Sequence, residues 1–73
     1  MQTTAPANIA DNLRAKRLGM GLSQARLAKL SGLTQSQICR WERGIMPEAS
    51  SLSALATALH TTTDALLGRK AKP

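Results

Sequence analysis

The chain has 73 residues, a formal net charge of +6, one aromatic residue and one cysteine. This length allows one small domain and excludes a second, catalytic one, and the lone Cys39 excludes an intramolecular disulfide. Leu and Ala dominate the apolar residues, which predicts an all-α fold, and the excess of Lys and Arg suits a polyanionic partner or, as the alternative, only a soluble basic surface.

The first predicted helix follows a seven-residue segment, 1–7, that has no apolar periodicity and is expected to be a flexible arm. Asn8 is the predicted cap, and the helix should run to about Leu18. Ile9, Leu13 and Arg17 align on its inner side. An arginine there needs a carboxylate partner, because burying an unpaired charge is costly. Gly19 is expected to end the helix in the left-handed conformation.

A second, short helix is predicted after Ser23, which can cap it. Leu27, Ala28 and Leu30 are expected on its inner side. Ser31, Gly32 and Leu33 then form a three-residue turn. Two capped helices around a glycine turn are typical of a helix-turn-helix unit.

The third helix, predicted over residues 34–43, has two chemically different faces. Thr34 is its expected cap, with Gln37 placed to reach back to the cap's own N–H, and Gly44 ends it. Ile38, Trp41 and Glu42 share the packed face. The opposite face is polar and basic, which suits base edges and phosphates: Gln35, Ser36, Arg40 and Arg43. We therefore expect a DNA recognition helix, against the alternative that Arg40 is an ordinary solvated charge.

Two more helices complete the expected core. The fourth repeats apolar residues from Leu52 to Leu59 and should start at Glu48 or Ser50, and His60 is expected to close it. The fifth starts at Thr62, contains Leu66 and Leu67, and stops at Gly68. Residues 69–73 are expected to be a basic, disordered tail.

Other chemistry is not expected from these residues. Trp41 lies on the packed side, so a core role is favoured over base stacking. Cys39 and His60 have no zinc spacing. No carboxylate pair or Gly-rich phosphate loop points to an enzyme, and we expect no metal, cofactor or small-molecule substrate. With no apolar run of ~18 residues and no leader pattern, we expect no membrane role and a cytoplasmic setting.

Several motifs together resemble the XRE, or Cro/C1, type of helix-turn-helix domain found in small phage repressors and Cro proteins. They are Gly21-Leu22-Ser23-Gln24, Leu27-Ala28, Gly32 and the run from Ile38 to Gly44. The resemblance implies a compact five-helix, lambda-repressor-like domain over residues 8–68, with the third helix in the major groove.

The resemblance also implies residue roles. By position, Gln35, Ser36 and Arg40 would read bases. Residues near the phosphate backbone would be Gln24, Arg26, Lys29, Thr34 and Arg43. The family further pairs an arginine and a glutamate at Arg17 and Glu42, which predicts a buried salt bridge between the first and third helices.

The expected function is sequence-specific binding of duplex DNA by a transcriptional regulator, with repression the expected sign. We expect a palindromic operator and a weak homodimer formed through the Met46 loop and the helix with Leu66 and Leu67. The alternative is a helix-turn-helix module that binds protein, such as an antitoxin or an anti-repressor partner. Salt-sensitive affinity for DNA would discriminate the two.

Overall fold

Five α-helices follow one another in residues 8–68, the part of the chain that this computed structural model describes. They are α1 (Ile9–Gly19), α2 (Gln24–Ser31), α3 (Gln35–Glu42), α4 (Ala49–Ala58) and α5 (Thr63–Leu67). The described residues contain no strand, so the predicted all-α, five-helix architecture is confirmed. The arm and the tail predicted at 1–7 and 69–73 lie outside the described residues.

Side-chain caps begin four of the five helices. The oxygens of Asn8, Ser23, Thr34 and Thr62 each accept a bond from the backbone N–H three residues later. Each cap satisfies one of the N–H groups that a helix start leaves without a partner. The fourth helix is the exception: Glu48 is its N-cap but makes no side-chain capping bond. Of the two predicted starts, the structure selects Glu48.

The ends of α1, α3 and α4 share one hydrogen-bond pattern, in which a residue with positive φ allows two backbone bonds to close the last turn. At the end of α1 this residue is Gly21 (φ 71°), while Gly19 continues the helix. The prediction that Gly19 takes the left-handed conformation was therefore wrong by two residues. The bonds run from Gly21 N to Leu18 O and from Leu22 N to Arg17 O. With the left-handed residue at Gly21, the Leu22 N–H can therefore bond to a carbonyl in the last turn of α1.

His60 occupies the equivalent position after α4, with a φ of 55°. Its N–H bonds to Thr57 O, and the Thr61 N–H bonds to Ala56 O over 2.9 Å. Glycines fill this position after α1, α2 and α3. His60 therefore ends α4, as predicted, but in a backbone conformation that is unfavourable for a residue with a Cβ atom.

The core is formed by one cluster of aliphatic side chains with Trp41 packed among them. Its fully buried members are Leu13, Leu27, Ile38, Leu55, Leu59 and Leu66. Trp41 is 4% exposed, which agrees with the prediction of a core role. The third helix packs on α1 and α2, while α5 closes the bundle against α1 and α4. One face of α3 is thereby supported from two sides.

Two apolar residues are placed differently from the predictions. Leu30 was expected on the inner side of α2 but is 51% exposed. At about 100° per residue it lies about 110° from the direction midway between Leu27 and Ala28, which is outside the packed sector. Leu66 was expected on a dimer surface but is 2% exposed, because α5 inserts it into the core. The dimer surface predicted from Leu66 and Leu67 was therefore wrong for Leu66, while Leu67 is half-buried.

Candidate nucleic-acid interface

The start of α3 is held by a reciprocal capping box. Thr34 Oγ1 accepts a bond from the Gln37 N–H over 3.1 Å, and Gln37 Oε1 accepts one from the Thr34 N–H over 2.9 Å. The predicted helix start is therefore present in full. Each of these bonds satisfies a backbone N–H group at the start of α3, so the first turn is held in place by the protein's own side chains.

The outward face of α3 brings together the four residues predicted to contact DNA from this helix: Gln35, Ser36, Arg40 and Arg43. All four are exposed, whereas Ile38 and Trp41 on the opposite face are buried. Within residues 8–68, none of these four side chains has a hydrogen bond or an ion pair. We call this set the reading face. Its donors and charges are available to an external ligand.

The packed side of α3 is anchored to α1 by a buried salt bridge. Arg17 Nε donates to Glu42 Oε2 over 2.6 Å, and Arg17 Nη2 donates to Glu42 Oε1 over 3.0 Å. The two side chains are 9% and 5% exposed. The third donor, Arg17 Nη1, bonds to the Leu22 carbonyl over 2.7 Å. The carboxylate partner that the sequence required for Arg17 is thus Glu42, in a two-pronged geometry that fixes their relative orientation.

Electrostatics at this bridge favour the ionised pair. Burial raises the pKa of the Glu42 carboxyl, but hydrogen bonds from Arg17 and Gln24, with the charges of Arg17 and Arg14, outweigh it and hold that pKa below its usual value. The hydrogen bond to Glu42 likewise raises the pKa of Arg17, although burial acts in the opposite direction. Sequence reasoning missed Arg14, which is one helical turn before Arg17 on α1 and so falls on the same side.

The residues predicted to contact phosphates on α2 fall in two places. Gln24 is half-buried, and its Nε2 donates to Glu42 Oε1 over 3.1 Å, so it joins the bridge between α1 and α3. Arg26 and Lys29 are exposed on the opposite side of α2 from Leu27 and Ala28. No hydrogen bond or ion pair among residues 8–68 ties either cation to α3. Of these three residues, Gln24 is therefore the one that is hydrogen-bonded to α3.

Thr34, the remaining predicted phosphate contact, lies exposed at the start of α3. Its hydroxyl lies 3.1 Å from Gln37 Oε1, in addition to accepting the Gln37 N–H. Its backbone N–H is also used by Gln37. Both donors of Thr34 are therefore engaged inside the capping box.

After α3, the chain leaves two large apolar side chains in solvent. Ile45 and Met46 are 56% and 55% exposed. Ile45 lines a shallow cleft with Arg40 and Arg43, and its N–H bonds to the Arg40 carbonyl over 3.1 Å. The Met46 loop is thus continuous with the basic end of the reading face.

The described part of the chain was searched for metal-binding groups of side chains and for helices that could span a membrane. Residues 8–68 contain no group of three or more His, Cys, Asp or Glu side chains that could hold a metal ion. None of the helices found there is long and apolar enough to cross a membrane. Cys39 is a half-buried free thiol on α3.

Comparison with protein families and solved structures gives consistent matches. Residues 13–66 match a family described as helix-turn-helix. The P22 c2 repressor, solved in complex with a synthetic operator, aligns with a TM-score of 0.81 and 32% identity over 88% of this chain and 98% of that chain. The restriction-modification controller protein C.AhdI from Aeromonas hydrophila aligns with a TM-score of 0.77 and 38% identity, over 81% of this chain and 91% of that one.

A third similarity covers only part of a larger protein. FeII HppE, solved in complex with its substrate, aligns with a TM-score of 0.75 and 29% identity over 86% of this chain. The aligned region is 36% of that chain. By contrast, the P22 c2 repressor and the controller protein C.AhdI match over 98% and 91% of their own chains.

Proposed function

The chain belongs to the XRE-type helix-turn-helix family, and from this membership we propose that it is a transcriptional regulator that binds duplex DNA in a sequence-specific manner. The observation that carries the proposal is the reading face, a row of polar and cationic side chains without a partner among residues 8–68. The opposite face of the same helix is anchored by the core and by the Arg17–Glu42 bridge. The net charge of +6 supports the proposal, because positive charges on a protein strengthen its binding to the phosphates of DNA. The proposed role is that of a regulator without enzymatic activity, and repression is its proposed direction.

We assign base reading to Gln35, Ser36 and Arg40. In the major groove an arginine pairs with guanine O6 and N7, a glutamine with adenine N6 and N7, and a serine with either kind of edge. Helix-turn-helix proteins insert the N-terminal part of the recognition helix into the groove, where Gln35 and Ser36 lie. Arg40 follows one turn later on the same face.

We assign phosphate contacts to residues at the border of the reading face. On α2 the assignment covers Gln24, Arg26 and Lys29. On α3 it covers the helix end at Arg43, but not Thr34 at the helix start, because both donors of Thr34 are engaged in the capping box. Such contacts fix the register of the protein on the duplex and carry no sequence information by themselves. Gln24 also donates a hydrogen bond to Glu42 of the Arg17–Glu42 bridge. A phosphate contact by Gln24 would therefore help to orient α3 on the DNA.

We further propose a weak homodimer on a palindromic operator. The exposed pair Ile45 and Met46 supplies an apolar contact next to the reading face, and two copies would place their recognition helices in successive major grooves about 10 base pairs apart. Sedimentation with a duplex that carries two half-sites measures the stoichiometry. Strictly one subunit per palindrome would contradict the dimer, and Met46→Glu should weaken pairing while Ser53→Glu, on exposed α4 surface, should not.

A pool of random duplex DNA provides the test of function. Repeated selection for binding should enrich one short motif, as an inverted repeat if the dimer forms. A pool that remains random after selection would contradict the proposal. A protein that shows neither enrichment nor salt-sensitive affinity for mixed DNA would instead fit a module that binds protein. We also propose the cytoplasm as the site of action, and a DNA partner and the free thiol of Cys39 support this proposal.

A further inference from the structure

The side-chain amide of Gln37 is oriented by two hydrogen bonds on one of its ends. Gln37 Oε1 faces the Thr34 N–H at 2.9 Å and the Thr34 hydroxyl at 3.1 Å. Because a backbone N–H only donates, the amide atom that faces it must be the oxygen. Both bonds end on Oε1 and hold it beside Thr34, so Nε2 is the amide atom that is directed away from Thr34.

The nitrogen of this amide carries two N–H donors. Gln37 Nε2 has no hydrogen-bond partner among residues 8–68, although the side chain is half-buried. Thr34 shows the reverse situation, since its N–H and its hydroxyl both point to Gln37. At this corner of α3, the donor available to a ligand belongs to Gln37.

The position of Gln37 on the helix indicates which part of DNA it would meet. At about 100° per residue, the reading face spans about 140° of the helix, from Gln35 to Arg40, and Gln37 lies about 60° beyond Arg40 on the side away from Gln35. A side chain on the flank of a helix that lies in the major groove faces the sugar-phosphate backbone, whereas the middle of the face meets base edges. The first turn of α3 holds no acidic residue that would repel a phosphate, and its free N–H groups carry partial positive charge.

We propose that Gln37 Nε2 donates a hydrogen bond to a phosphate oxygen of the strand that borders the groove, and that Thr34 is a positioning residue that holds the amide in place. The inference rests on the proposed function and names one of its contacts. In this proposal the capping box has two roles, because the bonds that stabilise the start of the helix also orient the Gln37 Nε2 donor. Sequence reasoning assigned the contact to Thr34 and treated Gln37 only as part of the cap.

Single neutral phosphates in the selected duplex test this contact. Methylphosphonate is placed at one phosphate at a time across a half-site, and affinity is measured for the parent, for Gln37→Glu and for Gln37→Met. The Glu variant keeps the acceptor that the capping box needs, which preserves the helix start. The Met variant removes the donors without adding charge.

The expected result is a coupling at one phosphate. Neutralising that phosphate should weaken the parent about tenfold, as for loss of one hydrogen bond to a charged group. The same change should cost Gln37→Met almost nothing. For Gln37→Glu it should improve binding, because a carboxylate is then no longer set against a phosphate. Ser53→Glu adds the same charge on exposed α4 surface and should keep the parent's profile.

Two failures are distinguishable. If the parent shows no sequence preference, the proposed function falls and this inference falls with it. If the parent prefers its motif while both Gln37 variants keep the parent's methylphosphonate profile, only the inference is overturned. Urea melts of both variants establish that they are folded under the binding conditions, and the Glu variant keeps the test valid if the Met variant is not.

Discussion

Replacing Glu42 by glutamine should remove most of the stability of this domain. The carboxylate accepts two bonds from Arg17 and one from Gln24, and its side chain is 5% exposed. The substitution keeps the shape but leaves the Arg17 guanidinium buried without a counter-charge. An exposed ion pair would contribute only about 0–1 kcal/mol, whereas stranding a buried charge costs about 3–5 kcal/mol.

This cost rivals the whole free energy of unfolding that a core of this size supplies, about 3–5 kcal/mol. Glu42→Gln should therefore populate the unfolded state at room temperature, and a urea melt should show a lost or strongly lowered folded baseline. The paired variant Arg17→Met with Glu42→Leu avoids burying either charge and should recover much of the loss. Recovery should be incomplete, because the Leu22 carbonyl then lacks its Arg17 donor, at about 1 kcal/mol. A loss below about 1 kcal/mol for Glu42→Gln would refute the reasoning.

Three further outcomes follow from the same structure. The folded-state pKa of Glu42 lies below its unfolded value, so the bridge contributes fully above about pH 4.3 and is lost as the pH falls through the folded pKa. Acid titration should thus destabilise the parent more steeply than the Arg17→Met, Glu42→Leu variant, and equal slopes would contradict this. His60→Gly should raise the free energy of unfolding by up to about 1 kcal/mol in urea melts, since glycine has no Cβ to strain at φ 55°. A lower value than the parent's would show that the His60 side chain stabilises the turn. DNA affinity should fall with salt at a log–log slope of about −2.7 or steeper, given about −0.9 for each of at least ~3 phosphates. A flat titration would remove DNA binding as the main function.

Local sequence signals were sufficient for the features that depend on neighbouring residues. Caps at Asn8, Ser23, Thr34 and Thr62 need only a side chain and an N–H three residues away, and all four are present. The two faces of α3 follow from the helical angle alone. For this reason the reading face could be predicted without knowledge of the fold.

Features that depend on tertiary packing could not be predicted in the same way. The left-handed residue after α1 is Gly21 and not Gly19; either glycine could take this conformation, and the bond from the Leu22 N–H to the Arg17 carbonyl forms with Gly21 in it. Leu66 looked like surface in a five-residue helix, yet α5 turns it into the core. The capping motif predicts that Gln37 and Thr34 are hydrogen-bonded, but only the structure shows that both bonds end on Gln37 Oε1 and so gives the direction of the amide.

The pairing of Arg17 with Glu42 lies between these two cases. The inner position of Arg17 on α1 indicated a need for a carboxylate, and the helical angle put Glu42 toward the core, but neither pattern linked the two helices. The family resemblance supplied that link. The additional bonds to Leu22 and from Gln24 came only from the structure.

The base preferences of two single variants test the central claim most directly. Arg40 lies on the reading face, whereas Lys29 is an exposed cation on the outer side of α2. Measured against every single-base change in the selected motif, Arg40→Ala should lose about 1–3 kcal/mol of discrimination at one or two base pairs. Lys29→Ala should weaken all sequences about equally and keep the parent's preferences. If both variants keep the parent's preferences unchanged, α3 does not read DNA through Arg40 and the account of the reading face is contradicted.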